Sequence, residues 1–187
     1  ALSGSKSGEL RFWRLHSGAQ ERWWRPSGND LMTGFALCPN GKVAMGGFKS
    51  GTVEVWTVAS GEVQRRWQAH ENALMRHSCF SHDGRFLVTG SGNYYHPSQD
   101  TIVRIWEVAT GQELFSIPYH TQDVWATAFS PNGRFVLSTG LDGRICYGSM
   151  DDGSSHILLN LSPRIALHLD ISPDSRFVAL GLGRGPT

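Results

Sequence analysis

The sequence predicts an all-β chain made by copying one four-stranded unit, and three observations predict it. An alternating strand that ends on Trp is written three times, as Gly8-Glu-Leu-Arg-Phe-Trp-Arg-Leu15, Gly51-Thr-Val-Glu-Val-Trp-Thr-Val58 and Thr101-Ile-Val-Arg-Ile-Trp-Glu-Val108, with apolar residues at every second position. Trp13 to Trp56 is 43 positions and Trp56 to Trp106 is 50. The turns Pro39-Asn-Gly41, His82-Asp-Gly84, Pro131-Asn-Gly133 and Pro173-Asp-Ser175 keep the same beat, with steps of 43, 49 and 42. A period in the low forties that holds several short strands marks a propeller blade, whereas helical repeats would show a 3.6-residue rhythm.

Taken in order, the chain opens inside a unit, with residues 1–5 as the end of a second strand, 9–15 as a third and Gln20–Trp24 as the outer fourth. A full unit follows in Leu31–Leu37, Lys42–Met45, Thr52–Val58 and Val63–Gln68, the turn Ala59-Ser-Gly61 joining the last two. The next takes Leu74–Phe80, Arg85–Thr89, Thr101–Val108 and Glu113–Ile117, and the third takes Val124–Phe129, Arg134–Ser138, Arg144–Ser149 and His156–Leu161. Ile165–Ile171 and Arg176–Leu180 begin one more. These units divide the chain at 1–30, 31–70, 71–120, 121–162 and 163–187: about four repeats, three of them full blades, with partial blades at both ends.

Residues 1–10 and 178–187 are equivalent pieces of the repeat, so closing the chain on itself as a four-bladed ring would leave one strand spare. An open row of blades exposes edges and an apolar blade face. The expectation is a segment of a larger ring; two chains meeting end to end as an eight-bladed ring are the sharper rival.

Composition agrees with a globular all-β chain: 187 residues, 40% hydrophobic and 11% aromatic, with 22 Gly and 8 Pro to make turns. The net charge of +1 writes no global attraction to nucleic acid or membrane into the chain. Cys38, Cys79 and Cys146 show no metal-type pairing, and an odd count without a dense framework points to a reducing interior, cytoplasmic or nuclear. No apolar run reaches membrane-spanning length and no basic-then-apolar leader is present.

The run Ala128-Phe-Ser-Pro-Asn-Gly-Arg134, followed by Leu137-Ser-Thr-Gly140 and Asp142-Gly143 ahead of an alternating strand, resembles the WD-repeat β-propeller family. The resemblance recurs along the whole chain. Periplasmic Tol-type propellers share the Ser-Pro-Asp-Gly turn but fit the Trp at the end of the third strand less well. The resemblance implies that a His, a Ser or Thr, an Asp and the Trp are joined by buried hydrogen bonds within a blade. One unit carries the whole set, His70, Thr89, Asp100 and Trp106, and the next carries His120, Ser138 and Asp142 but has Gly148 in the place of the Trp. The unit of Trp56 has Gly46 and Ser50 at the hydroxyl and acid positions, and the last has Leu180 and Arg184.

Catalysis is not expected. A His, a hydroxyl and an Asp in one blade echo a hydrolase triad, yet they occupy the repeat's own fastening positions and no Gly-x-Ser-x-Gly elbow appears. Gly181-Leu-Gly-Arg-Gly185 lacks the spacing of a phosphate-binding loop. His16, His77, His82, His96, His156 and His168 are scattered with no ligand spacing, and Asp151-Asp-Gly153 lacks the further oxygens of a calcium loop. No cofactor or metal is expected.

Binding is expected instead, from rim loops. Between Thr89 and Asp100 the chain spends seven more residues than in the four-residue step from Ser138 to Asp142, and they include Asn93-Tyr-Tyr-His-Pro97. Tyr and His at a loop tip give rigid amphipathic contact area, though such tyrosines can equally pack on a neighbouring blade. Tyr94, Tyr95, His96, Phe48, Lys49, Gln122 and Trp125 are the expected contacts for another protein, identity unknown, or for a second copy of the chain. Arg11-Phe-Trp-Arg14 and Arg22-Trp-Trp-Arg25 interleave cations and aromatics as single-stranded nucleic-acid sites do. Trp24 aligns with Trp67 and Ile117, however, so packing between blades explains the pattern better, and nucleic-acid binding ranks last. The functions the sequence favours are therefore a protein-binding scaffold, then an architectural segment that completes a ring.

Overall fold

A computed structural model describes residues 1–5, 8–26, 30–71, 73–92 and 100–184. No helix occurs among them, and the strands fall into five antiparallel sheets. The first sheet has three strands, β1 (Leu2–Gly4), β2 (Leu10–Trp13) and β3 (Gln20–Trp24). Three four-stranded sheets follow: β4 (Met32–Leu37), β5 (Val43–Phe48), β6 (Thr52–Thr57) and β7 (Val63–Gln68); β8 (Met75–Phe80), β9 (Phe86–Ser91), β10 (Val103–Glu107) and β11 (Gln112–Ile117); β12 (Val124–Phe129), β13 (Phe135–Gly140), β14 (Arg144–Ser149) and β15 (Ser155–Asn160). A two-stranded sheet, β16 (Arg164–Ile171) and β17 (Val178–Arg184), comes last. Each sheet is a meander in chain order, and the expected all-β class is that of the molecule.

The alternation of the sequence becomes burial. Second strands such as β5 and β9 are covered on both faces by the neighbouring sheets, while outer strands such as β7 expose most side chains. The core therefore lies between sheets. Leu10, Phe12, Met32 and Trp56 fill the first gap, Met45, Val55, Met75 and Trp106 the second, and Val88, Ile105, Ile117 and Val136 the third. Burying such side chains contributes about 1.5–3 kcal/mol each, which makes sheet-to-sheet stacking the main source of stability.

The second strands run further than expected, β5 to Phe48 and β9 to Ser91, because pairing continues past Gly46-Gly47 and Gly90. Those glycines leave room for the next sheet: a Cβ on Gly47 would stand 2.6 Å from the Cβ of Met75, and one on Gly90 would stand 2.5 Å from Cγ1 of Val124. A shared device also joins the outer edges. Trp24 lies over the turn glycine Gly61, Trp67 over Gly111 and Phe115 over Gly153. Arg22 donates to the carbonyl of Ala59 and Arg65 to that of Ala109, fixing the same turns from the preceding sheet.

Candidate interaction rim and its buried hydrogen-bond sets

Strand alternation brings two kinds of loop to one rim: those joining each sheet to the next, which hold His70 and His120, and those joining second to third strands, which hold Lys49, Asp100 and Asp142. His70 ties one kind to the other. Its Nδ1 lies 3.0 Å from Asp100 Oδ2 and its Nε2 lies 2.9 Å from Thr89 Oγ1, which also takes the indole N–H of Trp106 at 2.9 Å. A carboxylate only accepts and an indole only donates, so Trp106 donates to Thr89, while His70 Nδ1 faces both the Asp100 carboxylate and, at 2.8 Å, Arg104 Nη1.

Burial is the largest influence on His70 and pushes its pKa down, against the opposing pull of Asp100. Burial alone would raise the Asp100 carboxyl, but the hydrogen bond and charge of His70, the backbone N–H of Ile102 and Arg104 together hold it below the usual range. Arg104 Nη1 reaches both Asp100 oxygens, at 3.0 and 2.7 Å, so the guanidinium and the imidazole share one acceptor.

The next sheet repeats the set without its Trp. His120 Nδ1 is 3.2 Å from Asp142 Oδ1 and Nε2 is 2.9 Å from Ser138 Oγ, while Thr121 N–H donates to the other Asp142 oxygen at 2.8 Å. At the position of Trp106 stands Gly148, and the space is filled by Ile117 and Phe115 from the preceding sheet. Neither hydroxyl is placed for attack on a substrate: Thr89 and Ser138 are both 0% exposed.

The sheet of Trp56 lacks the hydroxyl and uses a residue with no sequence signature. Glu54, 1% exposed, accepts the Trp56 indole N–H at 3.1 Å and pairs with Arg66 Nη2 at 2.8 Å. The only hint in the sequence is that Gly46 sits where the indole acceptor would be, while a lone acid stands two residues before Trp56.

The expected contact residues separate. Lys49 and Gln122 are exposed, and Trp125 is half-buried with the Arg76 guanidinium 4.9 Å above its ring. Phe48 must be corrected: it is 4% exposed and packs edge-on against Trp56 at 6.3 Å, because position 48 is the inward end of β5 rather than part of the loop. Tyr94, Tyr95 and His96 lie outside the described residues. Of the basic and aromatic N-terminal stretch, Trp24 stacks on Phe12 at 4.5 Å inside the sheet interface. Its arginines are engaged within the chain, Arg11 with Glu9 at 3.0 Å, Arg14 with Glu21 at 3.4 Å, Arg25 with Glu9 at 3.5 Å and Arg22 with Ala59.

No group of three or more His, Cys, Asp or Glu side chains suited to a metal ion occurs among the described residues. No helix of the described residues is long and apolar enough to cross a membrane.

Comparison with known proteins bears on the same elements. Residues 61–107 and 111–147 match the family model of the WD domain, G-beta repeat. The chain is 48% identical over 56 residues to Centriole proteome protein 16 of Chlamydomonas reinhardtii, covering 30% of this chain and 3% of that protein. It is 38% identical over 68 residues to Autophagy-related protein 18 of Meyerozyma guilliermondii, covering 35% of this chain and 11% of that one. It is 33% identical over 87 residues to COMPASS component SWD2 of Saccharomyces cerevisiae, covering 43% and 24%. The matches thus span less than a third of each relative's length. The first family match runs from β7 through β10 and the second from β11 into β14. Each sequence repeat therefore starts on the outer strand of one sheet and ends on the third strand of the next, the overlap that carries the buried His, hydroxyl, Asp and Trp positions. Residues 61–107 and 111–147 are WD repeats, and over these elements the chain is similar to WD-repeat proteins.

Proposed function

We propose that this chain is a non-catalytic scaffold that holds another protein on the rim bearing Lys49, Gln122, Arg76 and Trp125. The observation that carries the proposal is the Arg76 guanidinium over the Trp125 ring at 4.9 Å, beside the exposed Gln122. Trp and Arg are the side chains that most often concentrate binding energy at protein interfaces, and here they rise from inner strands rather than from a free loop. The loops around them are tied down by the His70–Asp100 and His120–Asp142 bonds, so binding would cost little ordering. Blades at 31–70, 71–120 and 121–162 act as the rigid support, and the setting is a reducing one, cytoplasm or nucleus, in keeping with three free thiols at Cys38, Cys79 and Cys146.

The test is site-specific photo-crosslinking with the probe placed at Gln122 or at Lys49, and at Arg134 on the opposite rim as the control. Crosslinks to one defined protein from the first two positions and not from Arg134 are expected. Equal labelling from both rims would defeat the assignment. Replacing Trp125 by Ala should weaken the same capture while thermal stability changes little.

A second function, completing a ring with another copy or chain, is favoured by one feature. An apolar groove of about 200 Å³ between β12–β15 and β16–β17, lined by Leu137, Tyr147, Leu158, Ile171 and Phe177, stays open beside a two-stranded sheet. Sedimentation separates the two functions: a discrete dimer at micromolar concentration supports assembly, and a monomer supports the scaffold. Nucleic-acid binding draws no support from arginines already held by Glu9, Glu21 and Ala59.

A further inference from the structure

We propose that the cleft between β7 and β10–β11 receives a cationic side chain, arginine or lysine, of the protein partner; the proposal rests on the scaffold function and names the chemistry that one part of its rim selects. The cleft holds about 460 Å³ and is lined by Gln68, Glu71, Asp100, Arg104, Trp106 and Glu113, a volume that accepts one long side chain with its backbone. Three carboxylates face one guanidinium there.

That guanidinium is spent inside the wall. Arg104 Nη1 is held by Asp100 at 2.7 Å and Nε lies 3.4 Å from Glu113 Oε2. Gln68 is turned away from the opening as well, its amide N–H groups donating to the carbonyls of Ser50 at 2.7 Å and His70 at 2.6 Å. What remains toward solvent is acceptor capacity: Glu71 is exposed and in no ion pair among the described residues, and Glu113 is 38% exposed with only its one long contact. A buried imidazole kept neutral adds no positive charge to oppose a cation.

The neighbouring sheets do not repeat this surface. Where Arg104 and its carboxylates stand, sheet β4–β7 has Glu54 buried under Trp56, and sheet β12–β15 has Cys146, 0% exposed. The acidic cleft therefore belongs to one blade junction. Its Glu71 stands in a sheet-to-sheet loop like that of Gln122, so a partner seated on those loops with a basic residue at its border would meet it. A guanidinium between two carboxylates makes charge-assisted hydrogen bonds stronger than neutral ones, and the Trp106 side chain lining the cleft offers its alkyl stem an apolar surface.

The test uses the full chain and small probes, with Nα-acetyl-arginine amide and Nα-acetyl-lysine amide titrated against the indole N–H signal of Trp106 in two-dimensional NMR. Nα-acetyl-norleucine amide and Nα-acetyl-glutamate amide are the controls. A saturable shift at millimolar concentration with the cationic probes alone is expected, and Glu71→Gln with Glu113→Gln should weaken it about tenfold. Both residues are on the surface, so an unchanged melting temperature shows that the double variant is folded. No shift with either cation, an equal shift with the norleucine probe, or a shift untouched in the double variant would each overturn the proposal. The titration involves no partner, so its failure is separate from failure of the photo-crosslinking.

Discussion

The indole N–H of Trp56 ends on the carboxylate of Glu54, 3.1 Å away, and Gly46 lies directly across the strand pair from that acid. One sheet later the indole of Trp106 ends on Thr89, and Arg104 occupies the place of Glu54. The same buried donor is thus satisfied in two ways, by a hydroxyl from the second strand or by an acid two residues back on its own strand. The acid brings a cost that the hydroxyl does not, since a carboxylate out of water needs a cation, and Arg66 supplies it from the outer strand.

Arg66 should therefore matter more than its 57% side-chain exposure suggests. Arg66→Ala leaves Glu54 charged and buried, which should lower unfolding free energy by about 2–4 kcal/mol, near the lower part of the range for an orphaned buried charge because water can enter where the guanidinium was. Adding Glu54→Gln removes the charge and keeps a carbonyl to accept the Trp56 N–H. The double variant should then be more stable than Arg66→Ala alone in urea unfolding. If Arg66→Ala costs nothing, the pair carries no weight.

Thr89 and Ser138 occupy equal repeat positions but carry unequal loads. Thr89 accepts from Trp106 and bonds His70 as well, whereas Ser138 serves His120 only, Gly148 having no indole to offer. Thr89→Val strands two buried groups and Ser138→Ala strands one, at about 1–3 kcal/mol for each group left unpaired. Thermal melting should place Thr89→Val below Ser138→Ala, and the reverse order would mean that Thr89 does not carry both bonds.

Acid should loosen the rim in two stages. The folded pKa of His70 lies below its ordinary value of 6.5, so the unfolded chain binds the extra proton first and stability falls as pH drops from that point toward the folded pKa. Asp100 and Asp142 lie below 3.8 when folded, so their contribution is complete above that value and is lost only as pH falls through their folded pKa values. Urea midpoints measured from pH 7.5 to 3 should decline first below about 6.5 and again below about 4. In His70→Gln the first decline should shrink, and the second should persist through Asp142 while losing part of the Asp100 share. An unchanged first stage in that variant would assign it elsewhere.

The strands were legible because period-two alternation and Gly-centred turns are local, and both survive in one sequence. Repeat position is equally visible, and it singles out His70, Thr89, Asp100 and Trp106 without any coordinates. What it does not carry is substitution at those positions. Glu54 looks like a solvent-facing charge in an alternating strand, and only the missing side chain of Gly46 lets Trp56 lean onto it. Phe48 was misplaced for a related reason: beside Lys49-Ser-Gly51 it looks like loop, yet a second strand buried on both faces runs to its last residue. Gly51 marks the true turn, with φ of +82° and the His70 carbonyl so close that a Cβ has no room.

Gly148 gives the sharpest case of a family position that cannot be restored. A Trp there would match the third strands of the preceding sheets, but an added Cβ already stands 2.7 Å from Ile117 Cδ1 and 3.1 Å from Phe115 Cε2. Ile117 is 0% exposed, so it has no free direction in which to yield. Gly148→Ala should then cost about 1–3 kcal/mol by overpacking, and Gly148→Trp should cost more. Ile117→Val deletes the Cδ1 that meets the new methyl group, and alone it should cost about 0.5–1.5 kcal/mol. Combined with Gly148→Ala it should cost less than the sum of the two, because each change relieves the fault of the other. Additive melting shifts would mean that the two side chains do not compete for one volume, and the loss of the Trp at this blade would then need a cause other than the isoleucine that fills its place.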